Sequence, residues 1–189
     1  MKEKKTNFFK AIIIIICVVV LILTSCYIIL KKVVYPLNHL DIVKEETAKN
    51  NLDPYLVMGI IKTESGFQKY ATSNKNAKGL MQIMDTTASD INNQINIVDD
   101  INGNLYDENV NIAIGCKYFS NLVNKYNGNY YLAICAYNAG MGNVDKWIDQ
   151  GIIDSNLDEY KEVEVPFDET EKYLKKVLTS YEMYKRLYK

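Results

Sequence analysis

The stretch Asp53-Pro54-Tyr55-Leu56-Val57-Met58-Gly59-Ile60-Ile61-Lys62-Thr63-Glu64-Ser65-Gly66-Phe67 decides how this chain is read. Asp53 has the side chain of a helix cap, and Pro54 fits a first helical turn because the N–H it lacks would be unpaired there. Leu56, Val57, Ile60 and Ile61 recur at helical spacing and form one apolar face. Glu64 falls on that face, following Ile60 and Ile61 at contact spacing. A carboxyl among aliphatic side chains is hard to ionise, so its pKa is expected to rise. A carboxylic acid that keeps its proton near neutral pH can protonate a leaving-group oxygen. A glutamate at a helix end can also lean into solvent or pair with a nearby lysine, here Lys62 or Lys69. The residues that follow decide between these readings.

Behind Glu64 come Ser65-Gly66-Phe67, Ala71, Ser73 and Ala77, then Gly79-Leu80-Met81-Gln82-Ile83-Met84 and Thr87-Ala88. Asn111-Ile112 with Gly115 forms a second motif. Ala136-Tyr137-Asn138-Ala139-Gly140 follows, with Gly142-Asn143-Val144 and Trp147 behind it. Val165-Pro166-Phe167-Asp168-Glu169-Thr170, with Tyr173 and Val177, is the last. Four short motifs in this order and spacing resemble a lytic transglycosylase domain of the SLT type, in the lysozyme-like superfamily that acts on bacterial peptidoglycan. The resemblance runs from Tyr35 to Tyr184.

The resemblance implies a mainly α, lysozyme-like fold and an enzyme that cuts the MurNAc–GlcNAc β-1,4 bond without water. Most glycosidases use two carboxylates, and this chain offers one well-placed candidate. In the family a single glutamate, here Glu64, protonates the glycosidic oxygen and then removes the proton of the C6 hydroxyl, closing a 1,6-anhydro ring. The substrate's own N-acetyl group stabilises the sugar cation, and no cofactor is implied.

The other positions carry over one at a time. Ser73 stands where the family places a serine near the N-acetyl group, although a loop serine also bonds its own backbone. Gln82 matches a glutamine that hydrogen-bonds sugar. Met84 matches a methionine lining the cleft, a residue type that equally serves a core. Tyr137 and Asn138 match a Tyr-Asn pair whose tyrosine faces the reaction and whose asparagine binds substrate or holds a turn. Glu169 and Tyr173 match the last motif, and Glu169 either binds polar substrate groups or favours the helix N-terminus through its dipole. The chain departs from the family at Asp85, Glu108 and Met141, where proline is common, and at Glu171, where a basic residue is usual. These changes put loop shape and substrate grip in question more than the reaction.

The chain has 189 residues and a net charge of −1, which gives no support for a nucleic-acid partner. Residues 11–30 carry no charge and are long enough to cross a bilayer core of roughly 30 Å. Lys2, Lys4, Lys5 and Lys10 precede this run, so 1–10 is read as a cytoplasmic tail, 11–30 as a transmembrane anchor, 31–35 as a short linker and 36–189 as the catalytic domain. A cleaved signal peptide has a shorter apolar core of roughly 7–15 residues. Leu23-Thr24-Ser25-Cys26 resembles a lipoprotein acylation site, but Tyr27-Ile28-Ile29-Leu30 continues the apolar run. All these readings place the domain outside the cytoplasm, and the anchor reading puts it on the outer face of a bacterial cell membrane. The short tether suggests cutting of membrane-proximal glycan, or local opening of the wall for a transenvelope machine. From Val33 onward 16 basic residues face 22 acidic ones, so binding of an anionic wall polymer rests on short-range contacts in a groove.

The remaining chain reads as helices near 37–50, 54–65, 85–95, 109–126, 130–137, 143–148 and 168–187. Asp99 to Glu108 reads as a loop, and Asp168 with Glu171 has capping-box spacing. Cys116 and Cys135 fit buried free thiols better than a disulfide, although export would permit one. His39 stands alone as a surface residue, and no cluster has metal-ligand spacing. Two rivals remain: a muramidase of the same fold that uses Glu64 with water, and a wall-binding component of a secretion apparatus that keeps the fold without the reaction.

Overall fold

The computed structural model describes residues 2–155 and 165–189, with residues 2–8, 11 and 102 as backbone only. The chain divides into two compact units, Met1–Leu37 and Asn38–Lys189. In the first, α1 (Lys2–Ile29) runs into a π-helical turn, Leu30–Val34. Residues Ile12–Val34 are long and apolar enough to cross a membrane, with a mean hydropathy of 3.2, and none of that stretch is buried. Such a helix fits a membrane anchor or a signal sequence. Most of the expected 31–35 linker is therefore helical rather than extended chain. The i→i+5 bond from the Tyr35 N–H to the Leu30 carbonyl closes that turn at 2.8 Å.

The second unit is helical among the described residues, with isolated bridges at Thr72–Lys78 and Lys78–Ile83 in place of strands. Its helices are α2 (Leu40–Asn50), α3 (Pro54–Ser65), α4 (Asp85–Ile95), α5 (Ile101–Asn104), α6 (Glu108–Lys125), α7 (Tyr130–Ala139), α8 (Met141–Asp149) and α9 (Asp168–Tyr188). Several starts follow directly from sequence. The Asp53 carboxylate accepts from the Tyr55 N–H at 2.8 Å. Asp107 accepts from the Asn109 and Val110 N–H groups at 2.9 and 3.1 Å, and Asn129 accepts from Leu132. Each satisfies backbone donors that a first turn leaves open.

Three expectations fail. Asp168 and Glu171 make no capping box, because Asp168 is already inside α9 and Phe167 occupies the cap position without a side-chain bond. Phe167 packs edge-on against Trp147 at 5.0 Å, so an apolar contact sets the entry angle instead. Asp100 folds 101–104 into one helical turn within the expected loop, its carboxylate accepting from the Gly103 N–H at 3.3 Å. The helix expected from Asn143 begins earlier, behind Gly140 at φ +85°, and the Asn143 amide donates to the Ala139 carbonyl. His39 is half-buried with φ +60° at the start of α2. Cys116 and Cys135 are buried free thiols, and burial raises both pKa values.

The core gathers around α3, whose residues Leu56–Ile61 are all buried. α9 lies antiparallel to α3 and is its most extensive partner. Gly59 sets their separation: a Cβ there would stand 3.0 Å from the Val177 carbonyl oxygen and 3.2 Å from the Tyr181 nitrogen. α7 packs on α9 and α6, and α6 packs on α2. Gly59→Val should push α9 off α3 and lower stability by about 1–3 kcal/mol, as overpacking does elsewhere. A denaturant midpoint equal to that of the unaltered chain would show that the close approach is not needed.

Candidate active site

The antiparallel pairing of α3 and α9 brings together residues 109 positions apart. The Tyr173 hydroxyl donates to Glu64 Oε1 at 2.5 Å. At the other end of the seam, the Tyr181 hydroxyl donates to Asp53 Oδ2 at 2.9 Å and Tyr55 to the Tyr188 carbonyl at 3.1 Å. Glu64 as a residue keeps some exposure, while its carboxyl group is crowded by protein. Burial disfavours its charged form and the Tyr173 hydrogen bond favours it; burial wins, and the pKa rises from 4.5 to about 7. Burial also pushes the Tyr173 and Tyr137 hydroxyls upward, with the Glu64 charge adding to both. Lys69, a candidate partner from sequence, pairs instead with Glu108.

The segment after Glu64 is held from inside and outside. The Ser65 hydroxyl donates to the Leu80 carbonyl at 2.8 Å and ties the end of α3 to the 79–84 turn. Buried Asn111 is the central peg. Its Oδ1 accepts from the Met81 N–H at 2.8 Å, and its Nδ2 donates to the Lys78 and Leu105 carbonyls at 3.0 and 2.8 Å. Gly79, at φ +77°, leaves room for this amide, since a Cβ would lie 2.3 Å from Asn111 Nδ2. On the outside, Lys78 donates to Asp85 Oδ1 at 2.6 Å, Asn76 to Asp85 Oδ2 at 3.1 Å, and Lys69 pairs with Glu108. Two departures from the family pattern, Asp85 and Glu108, are thus the acids that fasten this loop. Glu171 pairs with Lys175 one turn along α9, and Met141 is an exposed first residue of α8.

The residues singled out by sequence fall into three groups. Glu64 and Tyr173 are in direct contact, and Tyr137 is close enough for its hydroxyl to feel the Glu64 charge. Tyr137, Gln82 and Asn138 use polar groups on the scaffold. The Tyr137 hydroxyl donates to the Met81 carbonyl at 2.7 Å. Gln82, at φ +49°, donates from Nε2 to the Ala71 and Gly79 carbonyls at 3.2 and 3.0 Å. Asn138 Oδ1 accepts from Thr170 at 2.8 Å, joining α7 to the start of α9. The third group is exposed: Ser73, Met84 and Glu169. The Ser73 oxygen accepts from the Lys75 and Ala77 N–H groups at 3.2 and 3.0 Å, which leaves its proton to donate. Met84 is 46% exposed, which removes the core reading. Glu169 lies in the first turn of α9, where its charge favours the helix dipole. Asn111, Ser65 and Thr170 complete the site's framework. Asn111 carried a signal as part of the second motif, but its three backbone partners are set only by the tertiary fold.

A helical unit that holds one protonatable carboxyl against a tyrosine hydroxyl has close counterparts among solved structures. The 70 kDa soluble lytic transglycosylase of Escherichia coli superposes with a TM-score of 0.72 at 29% identity, over 80% of this chain and 25% of that one. An inactive mutant of the lytic transglycosylase Slt of Pseudomonas aeruginosa gives a TM-score of 0.70 at 29% identity, over 81% and 25%. The chain belongs to the transglycosylase SLT domain family, whose model matches residues 41–156. It is 33% identical over 156 residues to the soluble lytic murein transglycosylase of E. coli K12, covering 82% of this chain and 24% of that protein. The counterpart in Salmonella typhimurium is 34% identical over 154 residues, covering 80% and 23%. The chain thus spans about a quarter of the length of these relatives.

The Tyr173 hydroxyl stabilises the carboxylate form of Glu64, so Tyr173→Phe should move the Glu64 pKa upward from about 7. An NMR titration of isotopically labelled glutamate reads this directly. An unchanged or lower pKa would show that the contact does not control the proton.

Proposed function

We propose that this chain is a peptidoglycan lytic transglycosylase that cleaves the MurNAc–GlcNAc β-1,4 bond without water and leaves a 1,6-anhydro-MurNAc end. The observation that carries the reading is the crowded Glu64 carboxyl with the Tyr173 hydroxyl as its hydrogen-bond donor, a setting in which burial raises its pKa to about 7. A group poised there holds a proton for the glycosidic oxygen and, once ionised, accepts one from the C6 hydroxyl. The bond from C1 of MurNAc to the leaving oxygen breaks, that oxygen takes the Glu64 proton, and O6 closes on C1 as its proton returns to Glu64. The net reaction therefore needs no second carboxylate, and among the described residues none contributes to the Glu64 shift. Tyr173 orients the carboxyl and eases its ionisation between the two halves. Ser73 supplies a hydroxyl proton toward the N-acetyl group, and Met84 and Glu169 line the approach. Gln82, Tyr137 and Asn138 support this reading as the residues that hold the loop and α9 in place.

Digestion of purified sacculi followed by mass spectrometry tests the reaction. Anhydro ends are expected; reducing ends would replace the lyase reading with a muramidase. Glu64→Gln should lower product release by about 10²–10⁴-fold, the usual worth of a general acid–base group. Product release should also decline as pH rises through about 7, because the first step needs protonated Glu64. Equal release by wild type and Glu64→Gln would remove the catalytic assignment.

We further infer that residues 11–30 are a retained single-pass anchor with the domain on the outer face of the cell membrane. Wall cutting would then be confined to membrane-proximal glycan, the setting in which a transenvelope machine needs an opening. The helical turn at Leu30–Val34 supports a short tether. A long flexible insertion after Lys32 should leave activity on sacculi intact and weaken the cellular role. Full cellular function with the insertion would refute the need for proximity.

A further inference from the structure

We propose that Asp85 is a positioning residue for Ser73, clamping the 73–78 turn so that the serine hydroxyl keeps its place beside the substrate. The role rests on the proposed approach of Ser73 to the N-acetyl group. Its basis is what the two oxygens of one carboxylate reach. Oδ1 accepts from Lys78 Nζ at 2.6 Å, and Oδ2 accepts from Asn76 Nδ2 at 3.1 Å. Asn76, at φ +63°, is where the turn reverses, and Lys78 is where the chain leaves it.

The turn's own bonds set its shape. The Ser73 N–H donates to the Ala77 carbonyl and the Asn76 N–H to the Ser73 carbonyl, both at 2.9 Å. Ser73 Oγ accepts from the Lys75 and Ala77 N–H groups at 3.2 and 3.0 Å. All four stay within residues 73–77, so they do not fix where the turn lies on the domain. The base is fixed by Lys78, whose N–H donates to the Ile83 carbonyl at 2.9 Å and whose carbonyl accepts from Asn111 Nδ2 at 3.0 Å. Among the described hydrogen bonds of residues 73–77, that from Asn76 to Asp85 is the one that leaves the turn. The Lys78 side chain is 16% exposed, so water competes weakly for the charge-assisted bond that Asp85 accepts from it.

The backbone does not demand an acid at this position. Asp85 is the first residue of α4, where proline is accepted because the N–H has no helical partner. Met84 before it is extended, at φ −80° and ψ 149°, the conformation that a following proline requires. Proline would therefore start α4 equally well, and both side-chain bonds to the turn would be lost. What the acid adds is the reach across to Asn76 and Lys78. Glu64 is placed by other means, because α3 ends at Gly66 and Ser65 bonds the Leu80 carbonyl. Loss of the clamp thus loosens Ser73 and leaves the proton-transfer group where it is.

The test compares the full chain in detergent micelles with Asp85→Pro, Ser73→Ala and the double variant, on soluble uncrosslinked peptidoglycan strands. In Asp85→Pro, the NMR order parameters of the 74–77 amides should fall from about 0.85 toward about 0.6, with those of α3 unchanged. Its kcat/KM should fall about fivefold, the factor expected of one partly exposed ion pair, and mainly through KM. In the Ser73→Ala background the same substitution should cost nothing further. An Asp85→Pro loss that persists in that background would show that Asp85 does not act through the serine and would overturn the proposal. Unchanged order parameters or an unchanged kcat/KM in Asp85→Pro would overturn it as well. If Asp85→Pro fails to fold, Asp85→Ala is read in the same way. The cleavage reading fails on different outcomes, namely reducing ends or undiminished release by Glu64→Gln. Anhydro ends from an Asp85→Pro enzyme that matches wild type would remove the clamp alone.

Discussion

The seam between α3 and α9 is the interaction on which the candidate site depends. Gly59 lets the two backbones approach, and that approach delivers the Tyr173 hydroxyl to Glu64. The same packing removes water from the carboxyl and raises its pKa from 4.5 to about 7. Because the folded-state value is the higher one, ionisation of Glu64 opposes folding. The loss of stability starts as pH rises past the unfolded value and is complete above the folded one. The hydrogen bond from Tyr173 softens that loss without cancelling it. A carboxyl kept in such a place is a local conflict with stability, of the kind that marks functional sites.

The segment that follows Glu64 shows how a loop can be firm without regular structure. Asn111 satisfies three backbone groups from beneath, and Ser65 binds the Leu80 carbonyl from the end of α3. From outside, Asp85 and Glu108 hold Lys78 and Lys69. Both acids also sit in the first turn of a helix, where negative charge is favoured. An acid at these positions therefore does two things that proline cannot: it complements the helix dipole and reaches across to the loop. Proline would restrict the backbone instead. The departures from the family pattern change the means of fastening this loop and leave the placement of Glu64 to α3.

What could be read from sequence was what local chemistry decides. The cap at Asp53, the apolar run of α3 and the burial of Glu64's face follow from spacing alone, and all appear in the fold. The end of α3 at Gly66, with φ +59°, follows equally from its sequence. Gln82 was less legible, because its amide bonds backbone carbonyls at Ala71 and Gly79 that only the folded loop brings near. Asn138 failed to declare its partner for the same reason: Thr170 is 32 residues away. The start of α9 misled because a side-chain capping pattern competes with apolar packing, and Phe167 against Trp147 won. A local hydrogen-bonding signal is worth about a kilocalorie per mole; Phe167 stays 45% exposed, and what its contact helps to cover is the Trp147 ring, whose burial exceeds that.

Charge governs how such a site meets its substrate. With 22 acidic against 16 basic residues from Val33 onward, the domain's field repels an anionic wall polymer at long range. A neutral Glu64 at pH below about 7 adds nothing to that repulsion. The proposed anchor answers the same difficulty by another route, since attachment beside the wall replaces electrostatic attraction as the source of local concentration. Screening by salt reduces the repulsion to a range of about 10 Å or less. Within that range, short-range polar and apolar contacts in the cleft around Glu64 and Tyr173 decide binding.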